Sequence, residues 1–354
     1  MSPLGHHGGV PTLVAAPDKF RGTAAAAAVA EAMGAAAWEA GWDAVETPVA
    51  DGGEGFLDVL GGQWRRVTVT GPLGRPVQAD WRLDGSTAVI EMARASGLML
   101  AGGPEKNDPM RASTIGTGEL VGEVLRAGAK RVLVGLGGSA STDGGLPCLQ
   151  AIGSPARLKG VPLIVACDVT TRFVEAAATF APQKGATPAQ VALLTRRLER
   201  LAQVYEDDFG VDVRDLDGGG AAGGLAGGLA AWGAELVPGF DVVAEHLDLV
   251  AQIERASLVL TGEGFLDEQS FRGKAVGGVV DLALSLGVPV AVICGDRLPP
   301  GEVEIPDGVE VVSLVERFGR ERAIKATLGC IREAATDLVR RFADGGPGRH
   351  AERR

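Results

Sequence analysis

The amino-acid sequence predicts an α/β fold with a largely parallel sheet, and three observations support that prediction. Predicted strands alternate with predicted helices from PTLVAAP onward to the C-terminal region. The strands are continuous runs of Val, Leu and Ile, which is typical of strands that are buried on both faces. The chain has 354 residues, a length that favours two domains over one.

The elements of the first half follow from their apolar patterns and from the residues that interrupt them. A short strand in PTLVAAP leads into a polar turn, and an Ala-rich helix over residues 23–40 ends at Gly41, a typical residue after a helix. A second strand ends at ADGGEG, and a short helix follows it. RRVTVTGPLGRPVQADWRL alternates on both sides of a Pro/Gly turn, which predicts a β-hairpin. TAVIEMA predicts a strand and STIGTGELVGEVLRAGA a helix.

The second half continues the alternation. RVLVGLGG and VPLIVACDV predict strands, and a charged helix covers residues 188–208. DGGGAAGGLAGGL has too many glycines for a good helix, so it either packs closely against backbone or ligand or is a flexible linker. The helix with His246, the strand SLVLTGEG, a helix over 273–286, the strands VPVAVICGD and VEVVSLV, and a helix over 319–342 follow. We expect disorder in the tail GGPGRHAERR.

The composition argues against several classes of function. With 34 basic against 45 acidic residues and a net charge of −11, the chain lacks the basic surface that nucleic-acid and anionic-membrane binding require. No uninterrupted apolar stretch reaches about 18 residues, so we predict no membrane span. The N-terminus MSPLGHHGG has neither the basic nor the apolar region of a signal peptide. We therefore expect a cytoplasmic protein.

Histidine and cysteine are too scarce for several kinds of site. Of the four histidines, only His246 lies in the body of the chain, which argues against a His-based triad or a multi-His metal site. The four cysteines are far apart and form no CxxC pair, which argues for a reducing compartment and against zinc or disulfides. A carboxylate is therefore the expected general base.

Five polar loops come directly after predicted strands. They are APDKFRG, ADGGEG, GLGGSASTDGG, ACDVT and LTGEGFLDEQSFRGK. In open α/β sheets, ligands bind outside the carboxyl ends of the strands. Because all five loops carry Asp or Glu, and all but ACDVT also carry glycine, we expect these loops to converge on one binding site.

The loop over residues 135–145 is the candidate phosphate or nucleotide site. Gly137 and Gly138 let the backbone approach an anion, Ser139 adds a hydroxyl donor, and a helix N-terminus follows. Asp143 would repel a bare phosphate, so it indicates Mg²⁺ or a polar substrate nearby. The alternative is a tight strand-to-helix turn with Asp143 as the helix cap, and the loop matches neither the Walker A spacing nor a full GxGxxG.

Two acidic loops come early in the chain. Asp18, Lys19 and Arg21 place a carboxylate beside two cations, which suits a site that holds a metal and an anion together, although a solvated charged turn has the same pattern. Asp51 and Glu54 flank two glycines. A turn in which one of these acids caps the next helix explains this pattern as well as a functional role does.

Asp168 is the first candidate for the general base. It ends an apolar run, where a buried carboxylate is costly unless it is paired or bound to metal. The same argument allows it to be a metal ligand, and Asp18 and Asp267 remain alternatives for the base. Lys184 could contact phosphate as a point charge or could be an exposed loop lysine.

A last group combines acids with cations after the strand SLVLTGEG. It contains Glu263, Asp267, Arg272 and Lys274. Repeated loops of this kind suit phosphoryl transfer, in which catalysis is mainly positioning and neutralisation of charge.

Ten segments occur in an order that points to one family. They are APDKFRGT, ADGGEG, VTGPLGRPV, VIEMARASGL, TIGTGEL, GLGGSASTDGG, ACDV, PQKGA, GGGAAGGLAGG and LTGEGFLDEQS. Together they strongly resemble the bacterial glycerate kinase family, whose members phosphorylate D-glycerate with ATP and Mg²⁺. The resemblance runs from about residue 12 to about residue 338, nearly the whole chain.

The resemblance implies two different α/β domains with a cleft between them. One is Rossmann-like and discontinuous, over residues 1–62 and 275–354, and the other is inserted, over residues 63–274. It implies ATP, Mg²⁺ and D-glycerate as ligands, 2-phosphoglycerate as the product, and leaves a homodimer open. No nucleic-acid or membrane partner is expected.

The candidate site has three groups of residues. The catalytic residues are Asp168, Asp18, Lys19, Arg21 and Asp267. The residues that bind the nucleotide are Gly137, Gly138, Ser139, Thr117, Lys184 and Glu263. The metal ligands are Asp143 and Asp51.

The sequence departs from the family pattern before ACDV. Family members have a few dozen further residues there, whereas AIGSPARLKGVPLIVACDV bridges the two motifs directly, and Thr170–Phe173 replaces the family's Asn-Pro-Leu and Gly-rich turn. A missing lobe or a weakened wall of the cleft would follow. This leaves two alternatives: an impaired relative that binds ligand with little turnover, and a dinucleotide-dependent oxidoreductase, which the absence of GxGxxG after the first strand argues against.

Overall fold

The computed structural model describes residues 10–271, 274–299 and 301–344. The N-terminal segment MSPLGHHGG, the tail GGPGRHAERR for which we expect disorder, and Arg272 lie outside these residues. None of the helices that the structure describes combines the length and the apolar character needed to cross a bilayer.

The chain divides into two compact units. Unit 1 consists of Met1–Ala50 and Val243–Arg354, and unit 2 consists of Asp51–Val242. The sequence placed the domain boundaries at 62/63 and 274/275 instead, and so assigned the strand SLVLTGEG to the inserted domain. In the structure this strand pairs with two strands of unit 1, and the unit boundary therefore comes earlier.

The strands have the following bounds: β1 Thr12–Ala15, β2 Asp43–Glu46, β3 Gln63–Thr70, β4 Pro76–Asp84, β5 Thr87–Glu91, β6 Arg131–Gly135, β7 Leu163–Ala166, β8 Glu235–Val237, β9 Leu258–Leu266, β10 Val290–Arg297 and β11 Glu310–Ser313.

The helices have the following bounds: α1 Ala26–Glu39, α2 Phe56–Val59, α3 Ala93–Ser96, α4 Ile115–Arg126, α5 Leu146–Ile152, α6 Ala176–Phe180, α7 Pro188–Phe209, α8 Ala221–Ala231, α9 Gly239–His246, α10 Leu249–Glu254, α11 Ala275–Ser285, α12 Leu314–Phe318, α13 Arg320–Lys325 and α14 Thr327–Ala343. Short 3-10 helices cover Pro155–Leu158, Phe173–Glu175 and Pro182–Lys184.

Unit 1 is built on a five-stranded sheet in the order β11-β10-β9-β1-β2. Every pairing in this sheet is parallel, as the continuous apolar strands predicted. Its core joins the central strands to α1 and α14, and Leu13, Met33 and Ile331 are fully buried in it. Burial of large apolar side chains from distant parts of the chain is what holds the discontinuous segments together.

The final helix was predicted wrongly as one continuous helix over residues 319–342. The structure has two helices in this region, α13 and α14, and α12 ends just before it. Gly319 has a φ of 79° and a ψ of 148° and separates α12 from α13, while Ala326 has a φ of −129° and separates α13 from α14. Neither backbone conformation continues an α-helix.

Unit 2 is built on a six-stranded mixed sheet in the order β3-β4-β5-β6-β7-β8. β3 and β4 form the predicted antiparallel hairpin, and β5 to β8 pair in parallel. The prediction of two different α/β domains is thereby confirmed.

The glycine-rich segment packs closely, which confirms one of its two interpretations. Ala222, Gly223 and Gly224 have φ values of 51°, 71° and 91° and interrupt the start of α8. A Cβ atom on Gly223 would lie 2.1 Å from the Ser141 carbonyl oxygen, and one on Gly228 would lie 2.4 Å from the Gly144 carbonyl oxygen. Backbone contact at this distance requires glycine.

The short connection before β7 is closed by its own hydrogen bonds. Arg157 Nη1 donates to the Ile152 carbonyl oxygen at 2.8 Å, at the C-terminus of α5. Ser154 Oγ accepts from the Ala156 N–H at 3.2 Å. β7 keeps its register with both neighbouring strands, so the sheet is continuous across the region where family members have additional residues.

Candidate active-site residues

Unit 2 contains a pocket of about 380 Å³. It is bordered by loops that follow β6 and β7, by the loop before α2, and by residues next to α6 and at the start of α8. The lining residues are Asp51, Gly52, Gly53, Leu98, Leu136, Gly137, Gly138, Ser139, Ala166, Cys167, Asp168, Val169, Phe180, Gln183, Lys184, Ala221 and Ala222.

Glycine brings two walls of this pocket together. A Cβ atom on Gly137 would lie 2.6 Å from the Gly53 Cα atom, and one on Gly52 would lie 2.9 Å from the Ala166 Cβ atom. Gly138 has a φ of 72°, in the left-handed region that side chains disfavour. Backbone groups of the loops 51–53 and 136–139 therefore border the space directly.

The loop before α2 does not directly follow a strand, contrary to the sequence interpretation. β2 ends at Glu46, four residues before Ala50. The candidate phosphate site over residues 135–145 also differs from the prediction. The helix α5 begins only at Leu146, and its first turn does not line the pocket. Gly137, Gly138 and Ser139 do line it.

Two carboxylates lie in the pocket. Asp51 Oδ1 accepts from the Gly53 N–H at 3.2 Å, and Asp168 Oδ1 accepts from the Gly239 N–H at 2.7 Å. A Cβ atom on Gly239 would lie 2.1 Å from the Asp51 carbonyl oxygen and 2.8 Å from Asp168 Oδ2, so the two loops meet at this glycine. The expected burial of Asp168 was wrong, because Asp168 is exposed.

Lys184 is the lysine of this pocket, and it is buried. Only 2% of its surface is exposed, and its Nζ atom donates to the Ser141 carbonyl oxygen at 2.6 Å. Asn107 Nδ2 donates to the Lys184 carbonyl oxygen at 2.9 Å and to the Ala140 carbonyl oxygen at 3.0 Å. Burial lowers the pKa of Lys184 to about 8, and the charge of Asp143 opposes that shift. The alternative of an exposed loop lysine is thereby excluded.

Asp143 lies behind Lys184 and does not line the pocket. Its Oδ2 atom accepts from the Thr114 N–H at 2.7 Å and from the Thr114 hydroxyl at 3.0 Å, and its Oδ1 atom accepts from the Gly145 N–H at 3.1 Å. Burial raises the pKa of Asp143, whereas these hydrogen bonds and the Lys184 charge lower it. Its surroundings suit a fixed charge partner for Lys184 better than the predicted Mg²⁺ ligand.

Thr117 is fully buried and lies away from the pocket-lining residues. Its hydroxyl donates to Ser96 Oγ at 2.9 Å, and its N–H donates to the Thr114 carbonyl oxygen. These contacts connect α4 to the end of α3. They do not bring Thr117 to the predicted nucleotide site.

Unit 1 contains a second group of ionisable residues, at the carboxyl ends of β1 and β9. Asp18 is 8% exposed, and its Oδ1 atom accepts from the Lys19 N–H at 2.6 Å and lies 3.5 Å from Lys19 Nζ. The Asp18 N–H donates to the Gly262 carbonyl oxygen at 2.8 Å, which holds the loop against β9. Arg21 is exposed.

Glu263 lies inside β9 and not in the loop after it, contrary to the sequence interpretation. It pairs in register with Cys294 of β10. The flanking glycines allow close backbone approach, since a Cβ atom on Gly262 would lie 1.9 Å from the Ile293 carbonyl oxygen and one on Gly264 would lie 3.0 Å from the Arg21 nitrogen. β9 therefore continues to Leu266.

The Glu263 carboxylate is held in an unusual electrostatic setting. Its Oε1 atom is buried, and no described residue forms a hydrogen bond with it. Burial raises the pKa of Glu263 to about 7, and the charges of Asp18 and Asp267 add to that rise. A hydrogen bond from Ser270 and the charge of Lys274 act in the opposite direction.

Asp267 forms a tight turn after β9. Its Oδ1 atom accepts from the Gln269 N–H at 2.8 Å, and its own N–H donates to Ser270 Oγ at 2.9 Å. The structure thus brings Asp18, Lys19, Glu263 and Asp267 together in unit 1. It places Asp51, Gly137, Gly138, Ser139, Asp168 and Lys184 together in unit 2.

The sequence reasoning missed three residues that shape these sites. Asn107 positions Lys184, Gly239 holds Asp168, and Ser270 contacts the acids of unit 1. Ser270 stands in the DEQS segment, where an Asp followed three residues later by Ser indicates a turn. Asn107 and Gly239 carry no local signal, because their partners are 77 and 71 residues away.

Among the residues that the structure describes, no group of three or more His, Cys, Asp or Glu side chains is arranged to hold a metal ion. Asp51 and Asp168 are two carboxylates that line one pocket, which is fewer than such a group needs. Mg²⁺ is commonly held by one or two carboxylates together with water and substrate phosphates, so a pair of this kind fits that ion.

Comparison with protein families gives a match over nearly the whole chain. The model of the glycerate kinase family matches residues 13–156 and 154–343. The two parts meet at the place where the sequence lacks the segment before ACDV. The missing segment therefore interrupts an otherwise continuous likeness.

Known relatives and a solved structure agree with the family match. The chain is 37% identical to Glycerate 2-kinase of Escherichia coli K12, over 94% of this chain and 98% of the relative. It is 37% identical to Glycerate kinase of Bacillus subtilis 168, over 89% and 98%. A crystal structure of a Salmonella typhimurium LT2 protein provisionally named glycerate kinase 2 has a TM-score of 0.83 at 35% identity, over 95% of this chain and 99% of that chain.

Proposed function

Because the chain belongs to the glycerate kinase family, we propose that it transfers the γ-phosphoryl group of ATP to D-glycerate with the help of Mg²⁺, forming 2-phosphoglycerate. The kinase reaction on glycerate follows from the family and from the names of its relatives. Phosphorylation at the 2-hydroxyl is supported by the name of the Escherichia coli relative. The observation that carries the proposal is the unit 2 pocket, which combines glycine-lined walls, a buried lysine and two carboxylates.

The unit 2 pocket suits a nucleotide with its phosphates. The backbone of the loop 136–139 can approach phosphate oxygens because Gly137 and Gly138 carry no side chain. Lys184 supplies a positive charge that is already desolvated, which strengthens its attraction to an anion. Leu98 and Phe180 line the same space and offer apolar surface for a base.

The pair formed by Asp51 and Asp168 is the proposed holder of Mg²⁺. Both side chains line the pocket, and carboxylate oxygens are the ligands that this hard cation prefers. When bound, the ion would neutralise the phosphate charge that develops during transfer. The Gly53 and Gly239 N–H groups orient the two carboxylates by hydrogen bonds.

The unit 1 group suits the organic acid. Glycerate carries one carboxylate and two hydroxyls. Lys19 and Arg21 are two positions apart in the loop after β1 and supply cations for that carboxylate. Asp18 orients Lys19 through the contact of 3.5 Å.

The proposal is tested by measuring ADP release with D-glycerate and Mg-ATP in a coupled assay. ³¹P and ¹³C NMR of the product identifies the phosphorylated hydroxyl. We expect turnover that depends on both D-glycerate and Mg²⁺, and a phosphorus coupling to C2. Turnover without glycerate, or a product phosphorylated at C3, would contradict the proposed reaction or its position.

The same experiment separates the alternatives that the sequence left open. Ligand-induced thermal stabilisation without turnover would favour an impaired relative, in which the missing segment has removed part of the site. Reduction of a nicotinamide cofactor would favour an oxidoreductase, which has no support from the family match.

A further inference from the structure

The unit 1 group contains a carboxylate that the fold itself does not explain. Glu263 stands in the middle of a parallel strand between Gly262 and Gly264, beside Cys294 of the neighbouring strand. Its Oε1 atom is shielded from solvent, and no described residue forms a hydrogen bond with it. A buried polar atom without a partner destabilises the folded state, so packing alone gives no reason for a glutamate at this position.

The other candidate carboxylates of the two units differ from Glu263 in this respect. Asp18 Oδ1 accepts from the Lys19 N–H, and Asp267 Oδ1 accepts from the Gln269 N–H. In unit 2, Asp168 Oδ1 accepts from the Gly239 N–H. Each of these acids thus accepts a backbone hydrogen bond that fixes its orientation, whereas Glu263 Oε1 accepts none.

From this geometry we infer that Glu263 accepts the proton that the glycerate hydroxyl loses during phosphoryl transfer. The inference rests on the proposed function. The hydroxyl oxygen forms a bond to the γ-phosphorus, and the bond from that phosphorus to the bridging oxygen of ADP breaks. The hydroxyl proton moves to Glu263 Oε1, and Glu263 later releases it to water. In this proposal Glu263 is the general base and not a nucleotide contact, and it takes the place of Asp168, the first candidate for the base in the sequence analysis.

The charges around Glu263 support this role. Burial raises its pKa to about 7, and Asp18 and Asp267 push it in the same direction. Lys274 and the Ser270 hydroxyl oppose the rise, and the Cys294 thiol faces it from β10. A base whose pKa lies near the working pH combines a deprotonated fraction with real proton affinity.

The first test compares Glu263→Gln with the wild type in the ADP-release assay between pH 5.5 and 9. We expect kcat of the wild type to rise through about pH 7 and then to level off. In Glu263→Gln we expect kcat to fall about 10²–10⁴-fold, to lose this acidic limb, and to leave the KM values for ATP and glycerate within about threefold. The matched control is Glu268→Gln, an exposed neighbour, which should behave as the wild type.

A second measurement does not depend on activity. Because the folded-state pKa of Glu263 is raised above its ordinary value of 4.5, its contribution to stability is complete below about pH 4.5 and is lost as the pH rises through about 7. Glu263→Gln lacks this loss. The melting temperature of Glu263→Gln minus that of the wild type should therefore become larger from pH 5 to pH 8. Circular dichroism in the same experiment shows that the variant is folded.

The outcomes are distinguishable. A wild type that does not phosphorylate glycerate overturns the proposed function and this role with it. An active wild type together with a Glu263→Gln variant that keeps kcat within threefold, or keeps the limb at about pH 7, overturns the role of Glu263 alone. Glu263→Asp should recover part of kcat and the acidic limb of the pH profile, because it restores a carboxylate. If Glu263→Asp were as inactive as Glu263→Gln and showed no acidic limb, that result would contradict proton transfer.

Discussion

Lys184 of unit 2 and Glu263 of unit 1 are both buried ionisable side chains whose pKa values are moved toward neutrality by burial. Their surroundings differ. The Lys184 ammonium donates to the Ser141 carbonyl oxygen and faces the opposite charge of Asp143, whereas Glu263 Oε1 accepts no hydrogen bond from the described residues and faces the like charges of Asp18 and Asp267.

This difference separates two uses of a buried charge. A charge that faces an opposite charge is held in its charged form over a wider pH range and in one position, which is what binding an anion requires. A charge with like neighbours and an unsatisfied atom changes protonation state easily, which is what proton transfer requires. The comparison therefore assigns binding to the lysine and proton transfer to the glutamate, and the predictions below test it from the largest expected effect to the smallest.

The largest effect is expected at Lys19. In Lys19→Ala, kcat/KM for D-glycerate should fall about 10²–10³-fold, because a cation that neutralises the substrate or the transferring phosphoryl group contributes about 3–4 kcal/mol at the transition state. Steady-state kinetics measures this. Lys130→Ala, which removes an exposed lysine, is the control, and wild-type activity in Lys19→Ala would remove Lys19 from the site. Arg21→Ala tests the neighbouring cation in the same way.

A smaller loss is expected when the binding charge of unit 2 is removed. Lys184→Met should weaken ATP binding about 10²-fold, because one desolvated ionic hydrogen bond contributes about 2–3 kcal/mol. Isothermal titration calorimetry with ATP reports the affinity without turnover. Unchanged affinity in a folded Lys184→Met would show that the pocket does not hold the phosphates through this lysine.

The partner of that lysine gives a pH-dependent prediction. ATP affinity of the wild type should fall as the pH rises through about 8, where Lys184 loses its proton. In Asp143→Asn this fall should begin at lower pH, because the Asp143 charge raises the pKa of Lys184. For a coupling of about one pKa unit, we expect a deficit of about fivefold at pH 8, smaller at pH 6 and approaching about tenfold at higher pH.

Magnesium decides between two roles of Asp143. If Asp143 were a metal ligand, a high Mg²⁺ concentration should restore much of the rate of Asp143→Asn. If Asp143 is the charge partner of Lys184, as we expect, high Mg²⁺ should not restore the rate. Asp51→Asn and Asp168→Asn should respond to Mg²⁺, since both line the pocket. Asp208→Asn changes an exposed acid and serves as the control.

The smallest effect is expected at Gly138. A valine there would occupy a φ of 72° and would add bulk to the wall of the pocket, so Gly138→Val should raise KM for ATP about fivefold, the factor that about 1 kcal/mol of lost binding free energy gives. Gly128 has a φ of 89° and open space around it, and Gly128→Val therefore imposes the backbone strain alone. Equal KM values in the two variants would exclude the loop 136–139 from nucleotide binding.

Most elements of the fold could be predicted from local patterns. The hairpin of β3 and β4, the apolar parallel strands and the close packing of the glycine-rich segment are confirmed, because hydrophobic periodicity and turn residues act within a few positions of each other. The single helix over residues 319–342 was wrong for a related reason. The backbone at Ala326 leaves the helical region, and helix-forming residues on either side hide that break.

The site was predicted less completely than the fold. The loops and most of their candidate residues were recognised, since charged residues after buried strands have few structural explanations. The burial argument failed for Asp168, which is exposed, and the placement in a loop failed for Glu263, which lies in β9. Which candidates bind ATP, Mg²⁺ and glycerate stays a prediction.

By itself, the sequence determined the family, the alternation of strands and helices, and the set of polar loops from which any site must be built. Only the tertiary structure decided that the buried Glu263 Oε1 atom accepts no hydrogen bond from the described residues. Glu263 interacts with Asp18 from the loop after β1 and with Cys294 from β10, which are 245 and 31 positions away in the chain. The burial and the pKa of a side chain depend on such distant neighbours, and local periodicity carries no information about them.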